Sequence, residues 1–180
     1  QHFLADPVAL DRIVTAAALT PADTVLEIGP GLGTLTRLLA ERAGRVVAVE
    51  LDDQLAAVLV ERLAGQPNVE VCPGNILRVS DFASLAGSSY KVVANLPYYI
   101  TSAVLRHLLE RHDQPSLLVV TVQREVAKRV VAAPPDMNLL AVSVQFYGRP
   151  RIVARIPAGA FYPPPKVDSA VVRIDVLDKP

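Results

Sequence analysis

VLEIGPGLGTLT, residues 25–36, decides the fold. An apolar, β-branched run ends at Ile28, the glycines 29, 31 and 33 make a turn, and a helical pattern begins near Leu32. Glycines at the carboxyl end of the first strand of an open α/β sheet let the backbone approach a ligand closely. A plain strand–helix turn is the competing explanation, so the neighbouring segments have to decide.

Outward from this turn, short β-branched runs alternate with helical patterns. Strands are expected at 24–28, 45–49, 69–72, 90–94 and 116–122, and helices at about 6–18, 32–43, 52–64, 101–111 and 123–132. Strand, helix, strand, helix predicts a parallel sheet covered on both faces. Leu35, Leu38 and Leu39 form one inward stripe, and Leu55, Val58, Leu59 and Leu63 another. The pattern changes after residue 133, where AAPPDMN reads as a loop and LLAVSVQFYG as a helix. Two extended runs follow, 151–156 and 168–176, joined by the proline-rich PAGAFYPPPKV. Strands joined by a loop without a helix should pair antiparallel. The expected fold is therefore α/β and Rossmann-like, a seven-stranded, mostly parallel sheet with an antiparallel edge hairpin, in one domain spanning 1–180.

The 180 residues are enough to bury a core, and 51% apolar against 20% charged residues excludes disorder. No apolar run nears the ~18–20 residues needed to span a bilayer. The amino end is amphipathic and carries Asp6 and Asp11, which argues against a secretory signal. A single cysteine, Cys72, forms no internal disulfide and no zinc cluster, as expected in a reducing cytoplasm. Eighteen basic residues balance eighteen acidic ones. Phosphate neutralisation dominates nucleic-acid affinity, so any such role rests on a local patch or on segments outside this sequence. Gln1 in place of Met points to a longer parent protein, and the tail DKP reads as a cut end.

The turn itself argues about the ligand. A dinucleotide fingerprint wants Gly or Ala at the sixth position of G-x-G-x-x-G, which here is Thr34. Pro30 also removes an amide that a pyrophosphate would use. The G-x-G-x-G spacing of Gly29, Gly31 and Gly33 suits a ligand without phosphates, such as S-adenosylmethionine. Glu50 ends the strand RVVAVE, where a carboxylate can accept hydrogen bonds from both hydroxyls of a ribose. Asp52 and Asp53 read as helix capping. Asn75, just past the third strand, is either an adenine-amino acceptor or a turn asparagine.

ANLPYYI, residues 94–100, follows the fourth strand. The exocyclic amine of an aromatic base is a poor nucleophile, because its lone pair is delocalised into the ring. The Asn95 amide oxygen and the Pro97 carbonyl oxygen can accept its hydrogens, pull the nitrogen toward sp³ geometry and aim its lone pair at a methyl sulfonium. Catalysis would be orientation and electrostatics, with no strong base. Tyr98 would stack on the base, and Tyr99 reads as packing. His107 and His112 read as solvated helix positions.

Together Gly29–Gly33, Glu50, NLPYYI, QREVAKR and FYPPPKVDSAVVRI resemble the ribosomal RNA adenine dimethyltransferases, and most of all their bacterial small-subunit branch. The resemblance covers all 180 residues. It implies a class I S-adenosylmethionine-dependent methyltransferase fold and transfer of methyl groups to N6 of two adjacent adenines near the 3′ end of small-subunit rRNA. It implies immature ribosomal subunits as partner, a cytoplasmic monomer, and neither metal nor membrane. QHFL resembles the family's Q-N-F-L segment, which sets His2 and Leu4 along the cofactor, with Gly29 near its methionine part, Glu50 on its ribose and Asn95 beside its methyl group. Asn75 stands where the family usually has aspartate, so its hydrogen bond to the cofactor's adenine loses charge assistance. Phe161 matches the aromatic that closes on the target base opposite Tyr98. PPDMNLLAVSV departs from the Tyr-Gly pair common in relatives. The family's basic amino-terminal stretch and carboxyl-terminal helical domain are absent from this sequence, which reads as the catalytic domain alone.

Three rival readings remain. A large-subunit rRNA adenine dimethyltransferase conferring macrolide resistance shares the motifs, though ANLPYYITS and VQREVAKR favour the small-subunit branch. A non-catalytic RNA-binding or assembly factor could keep the fold, but the intact NLPY and glycine turn argue against it. A dehydrogenase is disfavoured by Thr34.

Overall fold

The structure, a computed structural model, describes residues 2–178. Gln1 of the QHFL segment and Lys179 and Pro180 of the tail lie outside the described residues. The chain opens on β1 (Phe3–Leu4) and then alternates as expected: α1 (Pro7–Ala17), β2 (Thr24–Ile28), α2 (Thr34–Ala40), β3 (Arg45–Glu50), α3 (Asp53–Arg62) and β4 (Val69–Pro73). Then come α4 (Phe82–Ala86), β5 (Lys91–Asn95), α5 (Thr101–Leu109), β6 (Leu117–Gln123) and α6 (Arg124–Val130). The chain ends with α7 (Leu139–Gln145), β7 (Gly148–Ile156), β8 (Phe161–Tyr162) and β9 (Ser169–Val176).

Seven strands form one sheet in the order β4-β3-β2-β5-β6-β9-β7. Parallel pairing runs from β4 through β6, and β9 enters antiparallel between β6 and the edge strand β7. This bears out the mostly parallel sheet with an antiparallel pair at its edge. The chain winds outward from β2 to β4, then returns to β5 on the other side of β2. Such a reversal splays the helices apart and leaves a crevice at the carboxyl ends of β2 and β5.

Period-two alternation assigns each strand residue to a face. Val25, Val46, Val93, Val119 and Val171 pack with α1 and α2, whereas Leu26, Val47, Val92, Leu118 and Val172 pack with α5, α6 and α7. Both faces are thus covered, which is why β3 and β6 read as mostly apolar runs rather than alternating ones. Helix starts follow local chemistry. Asp6 caps α1 through Val8 N–H at 2.8 Å, with Pro7 at the first helical position. Asp52 caps α3 through Gln54 and Leu55 N–H at 2.9 and 3.1 Å, an arrangement worth about 1 kcal/mol. Asn138 caps α7 through Leu140 and Ala141 N–H.

Three expectations need correction, and three elements were not foreseen. The helix after the glycine turn starts at Thr34 and ends at Ala40, because Gly31 and Gly33 hold left-handed conformations that a helix cannot contain. The α3 stripe is Ala56, Leu59 and Leu63, while Val58 is 42% exposed, since this helix covers only the thin margin of the sheet near β3 and β4. His107 is half-buried rather than solvated: its Nε2 lies 3.1 Å from the Val79 carbonyl oxygen and its ring meets Phe82 edge-on at 5.5 Å. Finally, β1, β8 and α4 have no counterpart in the sequence reading. Among the described residues no helix is long and apolar enough to cross a membrane.

Candidate functional site

A cavity of about 490 Å³ opens at the switch point between β2 and β5. Its wall includes every candidate residue: His2, Leu4, Gly29, Gly31, Glu50, Asn75, Asn95, Pro97, Tyr98 and Phe161.

The floor is built by the glycine turn and Glu50. Gly29 N–H donates to the Val49 carbonyl at 2.9 Å, tying the turn to the end of β3. The Glu50 carboxylate is buried and accepts Gly31 N–H on one oxygen and Asp52 N–H on the other, both at 3.1 Å. Two backbone donors thus hold an acceptor in place before any ligand arrives, and each oxygen keeps a lone pair for a diol. Gly33 serves packing. Its φ is +81°, and a Cβ there would lie 2.5 Å from Leu59 Cδ1. Gly33→Ala is expected to cost about 2 kcal/mol, from left-handed strain plus the clash. Gly65→Ala, where a Cβ meets nothing within 4 Å, should change stability by less than ~0.5 kcal/mol. Urea denaturation of the two variants checks this, and equal effects would contradict the packing role.

Sequence reading missed Glu27. It lies in the central strand, 1% exposed, on the cavity wall, with Oε2 lacking a hydrogen-bond partner. Burial pushes its carboxyl up to about 8; the neighbouring Thr36 hydroxyl opposes that shift and the Glu50 charge adds to it. The available signal was a carboxylate inside the otherwise apolar run TVLEI. An orphaned carboxyl oxygen in an apolar-walled cleft fits a ligand that brings positive charge. It fits a pyrophosphate badly, because the buried Glu50 carboxylate on the same wall would then face an anion.

Asn95 closes β5, in register with Thr121 of β6, and the Leu96 N–H donates to the Thr121 carbonyl at 3.2 Å. Among the described residues its carboxamide makes no hydrogen bond to protein, so the amide is held by the strand yet open to a substrate. The Pro97 carbonyl is in use, accepting Ile100 N–H at 3.2 Å and the Thr101 hydroxyl at 3.3 Å. It can serve a substrate amine once the Thr101 hydroxyl turns away. Asn75 Oδ1 accepts Leu77 N–H at 3.0 Å and caps a short turn, so the turn-asparagine role is present and one lone pair remains toward the cavity.

Tyr98 is half-buried, its hydroxyl 2.8 Å from Ser169 Oγ, its ring 6.2 Å from the His2 ring at 27°. His2 Nδ1 lies 2.7 Å from the Pro163 carbonyl oxygen. The ends of the chain meet here: Leu4 pairs with Phe161 and Phe3 with Tyr162 in a two-stranded sheet. His2, Phe3 and Leu4 therefore share one wall of the cleft with Phe161. Phe161 is only 4% exposed and packs in the core with Leu4, its ring reaching the cavity from behind. Tyr99 is 82% exposed at the rim, not packed as expected, because the turn that buries one face of Tyr98 directs its neighbour outward.

A doubly wound sheet with a glycine turn, a buried carboxylate held by two backbone donors and an open amide at its switch point defines a class I S-adenosylmethionine-dependent methyltransferase fold, and the solved structures it superposes on agree. The 23S rRNA methyltransferase ErmE matches 99% of this chain and 71% of its own at TM-score 0.89 and 34% identity. A dimethyladenosine transferase from Plasmodium falciparum matches 97% and 63% at TM-score 0.86 and 30% identity. The chain belongs to the ribosomal RNA adenine dimethylase family, whose model matches residues 1–180. It is 54% identical over 178 residues to the ribosomal RNA small subunit methyltransferase A of Dehalococcoides mccartyi, spanning 98% of this chain but 61% of that protein.

Proposed function

We propose that this chain is the catalytic part of an enzyme that moves methyl groups from S-adenosylmethionine to N6 of two adjacent adenines near the 3′ end of small-subunit rRNA. What carries the reading is the convergence, on one cavity, of a fixed ribose acceptor (Glu50), an open amide (Asn95) and a half-buried aromatic (Tyr98). The cofactor supplies an electrophilic methyl group on a sulfonium. Glu50 would hold its ribose and Asn75 its adenine, His2, Leu4 and Gly29 would border it, and Glu27 would balance its positive charge. Asn95 Oδ1 and Pro97 O accept the hydrogens of the incoming amine, which localises the nitrogen lone pair. Tyr98 and Phe161 hold the ring, and the amine's proton leaves to solvent after transfer. The small subunit is favoured because identity to the small-subunit relative is 54%, against 34% to the 23S enzyme. The immature subunit in the cytoplasm is the partner, and the enzyme acts as a monomer.

Labelled S-adenosylmethionine offered to the full-length protein with purified immature small and large subunits tests this. Label in small-subunit rRNA is expected; label in large-subunit rRNA alone would assign the enzyme to the 23S branch, and none in either would leave a binding protein. A finer expectation concerns the two tyrosines. Tyr98→Ala should lower turnover by about 10- to 100-fold, the loss of one base stack worth ~1–3 kcal/mol, and Tyr99→Ala by less than about threefold. Equal effects would undo the assignment of Tyr98 to the base.

A further inference from the structure

The motifs QREVAKR and FYPPPKVDS meet at residues that the methyl-transfer chemistry does not use. Ser169 opens β9 and is fully buried, in register with Gln123 of β6 on one side and Ile156 of β7 on the other. Two neighbouring strands therefore fix its position. Its hydroxyl lies 2.8 Å from the Tyr98 hydroxyl, across 71 residues of sequence. The preceding Asp168 is equally committed. Its carbonyl accepts Arg124 N–H at 3.0 Å, and its Oδ1 accepts Ala158 N–H at 3.0 Å, in the turn that leads into Phe161. The two residues clasp the turn carrying Tyr98 and the turn carrying Phe161 to the start of β9.

Stacking requires a flat ring and no hydroxyl, so the tyrosine oxygen must be explained separately. A ring fixed only at its Cα end swings about two side-chain torsions. Pinning the far end to a strand removes that freedom before the base arrives, and the reacting geometry tolerates little swing. We propose that Ser169 is a positioning residue, which sets the pitch of the Tyr98 ring through the hydroxyl-to-hydroxyl hydrogen bond. The inference rests on the reading of Tyr98 as the base-stacking residue. The ordinary alternative is that two buried hydroxyls merely satisfy each other, which affects stability and leaves turnover alone.

A double-mutant cycle in the full-length protein separates the two. Tyr98→Phe, Ser169→Ala and the double variant are compared with wild type. Readouts are kcat and KM for methyl transfer to immature small subunits, affinity for S-adenosylmethionine, and quenching of an oligoribonucleotide with 2-aminopurine at the first of two adjacent adenine positions. One hydrogen bond's worth of ordering corresponds to a fall in kcat of about 5- to 10-fold in each single variant. The double variant should fall no further than the worse single one, cofactor affinity should hold, and quenching should weaken in parallel. Additive losses, unchanged kcat in both single variants, or a matching loss of cofactor affinity would overturn the proposal. If Ser169→Ala does not fold, Tyr98→Phe decides alone, and unchanged turnover and quenching refute it. Quenching with a non-additive cycle, but no transfer to small subunits, would sink the substrate reading and keep the clasp. If wild type transfers methyl and the cycle is additive, the clasp fails and the substrate reading stands. Neither transfer nor quenching in wild type would overturn both.

Discussion

Asn95→Ala is expected to reduce methyl transfer by on the order of 10³-fold while changing affinity for S-adenosylmethionine by less than about threefold, the scale seen when one preorganised polar group is removed from a site of developing charge. The amine of adenine shares its lone pair with the ring, and nothing in the cavity is a base strong enough to strip its proton first. The work falls to acceptors in the right place. Of the two, only the Asn95 amide is unengaged, because the Pro97 carbonyl already receives two hydrogen bonds. Removing the amide leaves an acceptor that must give up internal partners to help. Register with Thr121 fixes the backbone of Asn95 whatever its side chain, so the alanine variant should fold and bind cofactor. Single-turnover transfer beside calorimetry of cofactor binding checks both halves. Equal loss of binding and transfer would make Asn95 a cofactor ligand rather than a catalytic acceptor.

What the sequence made readable follows from where the chemistry sits. Glu50 and Asn95 stand at the tips of parallel strands, and period and β-branching locate strand tips to within a residue or so. The glycine turn was readable because only glycine tolerates its conformation. The Leu4–Phe161 pairing was not, since two-residue strands carry no periodicity and come from opposite ends of the chain. Resemblance named both segments as parts of the site, but only the fold made them one wall. Val58 and His107 were misplaced for a similar reason: the apolar stripe of a helix predicts its buried face only when the surface it covers is known, and a helical histidine is solvated only if no neighbouring loop reaches it. Tyr98 and Tyr99 are adjacent and identical, so their separation into a tethered ring and an exposed one is a property of the turn and not of composition. Ser169 is ordinary in sequence; its partner is set by strand order.

Glu27 should make stability fall as pH rises. In the unfolded chain its carboxyl ionises near 4.5, whereas in the fold burial holds it protonated until about 8. Between those values the native state binds a proton that the unfolded state has released, so the slope of unfolding free energy against pH is negative, about 1.4 kcal/mol per pH unit. Below the lower value both states are protonated and the group contributes no slope; above the upper value both are ionised and the loss is complete. Across the window the loss is on the order of 5 kcal/mol, a large share of a small domain's stability. Glu27→Gln removes the ionisation, so it should match wild type near pH 4.5 and exceed it at pH 8, in urea titrations run at both. Other titrating groups are common to the two proteins and cancel in the difference. A wild-type slope that survives in Glu27→Gln would mean that the carboxyl is already ionised in the fold. The same reasoning extends to the ligand. A cation entering the cleft favours the ionised carboxyl, so its binding expels a proton below pH 8 and its affinity should rise with pH over that window in wild type and stay flat in Glu27→Gln. The instability of the free cleft at neutral pH and its preference for a cationic cofactor are then one electrostatic fact, seen from the empty and the occupied side.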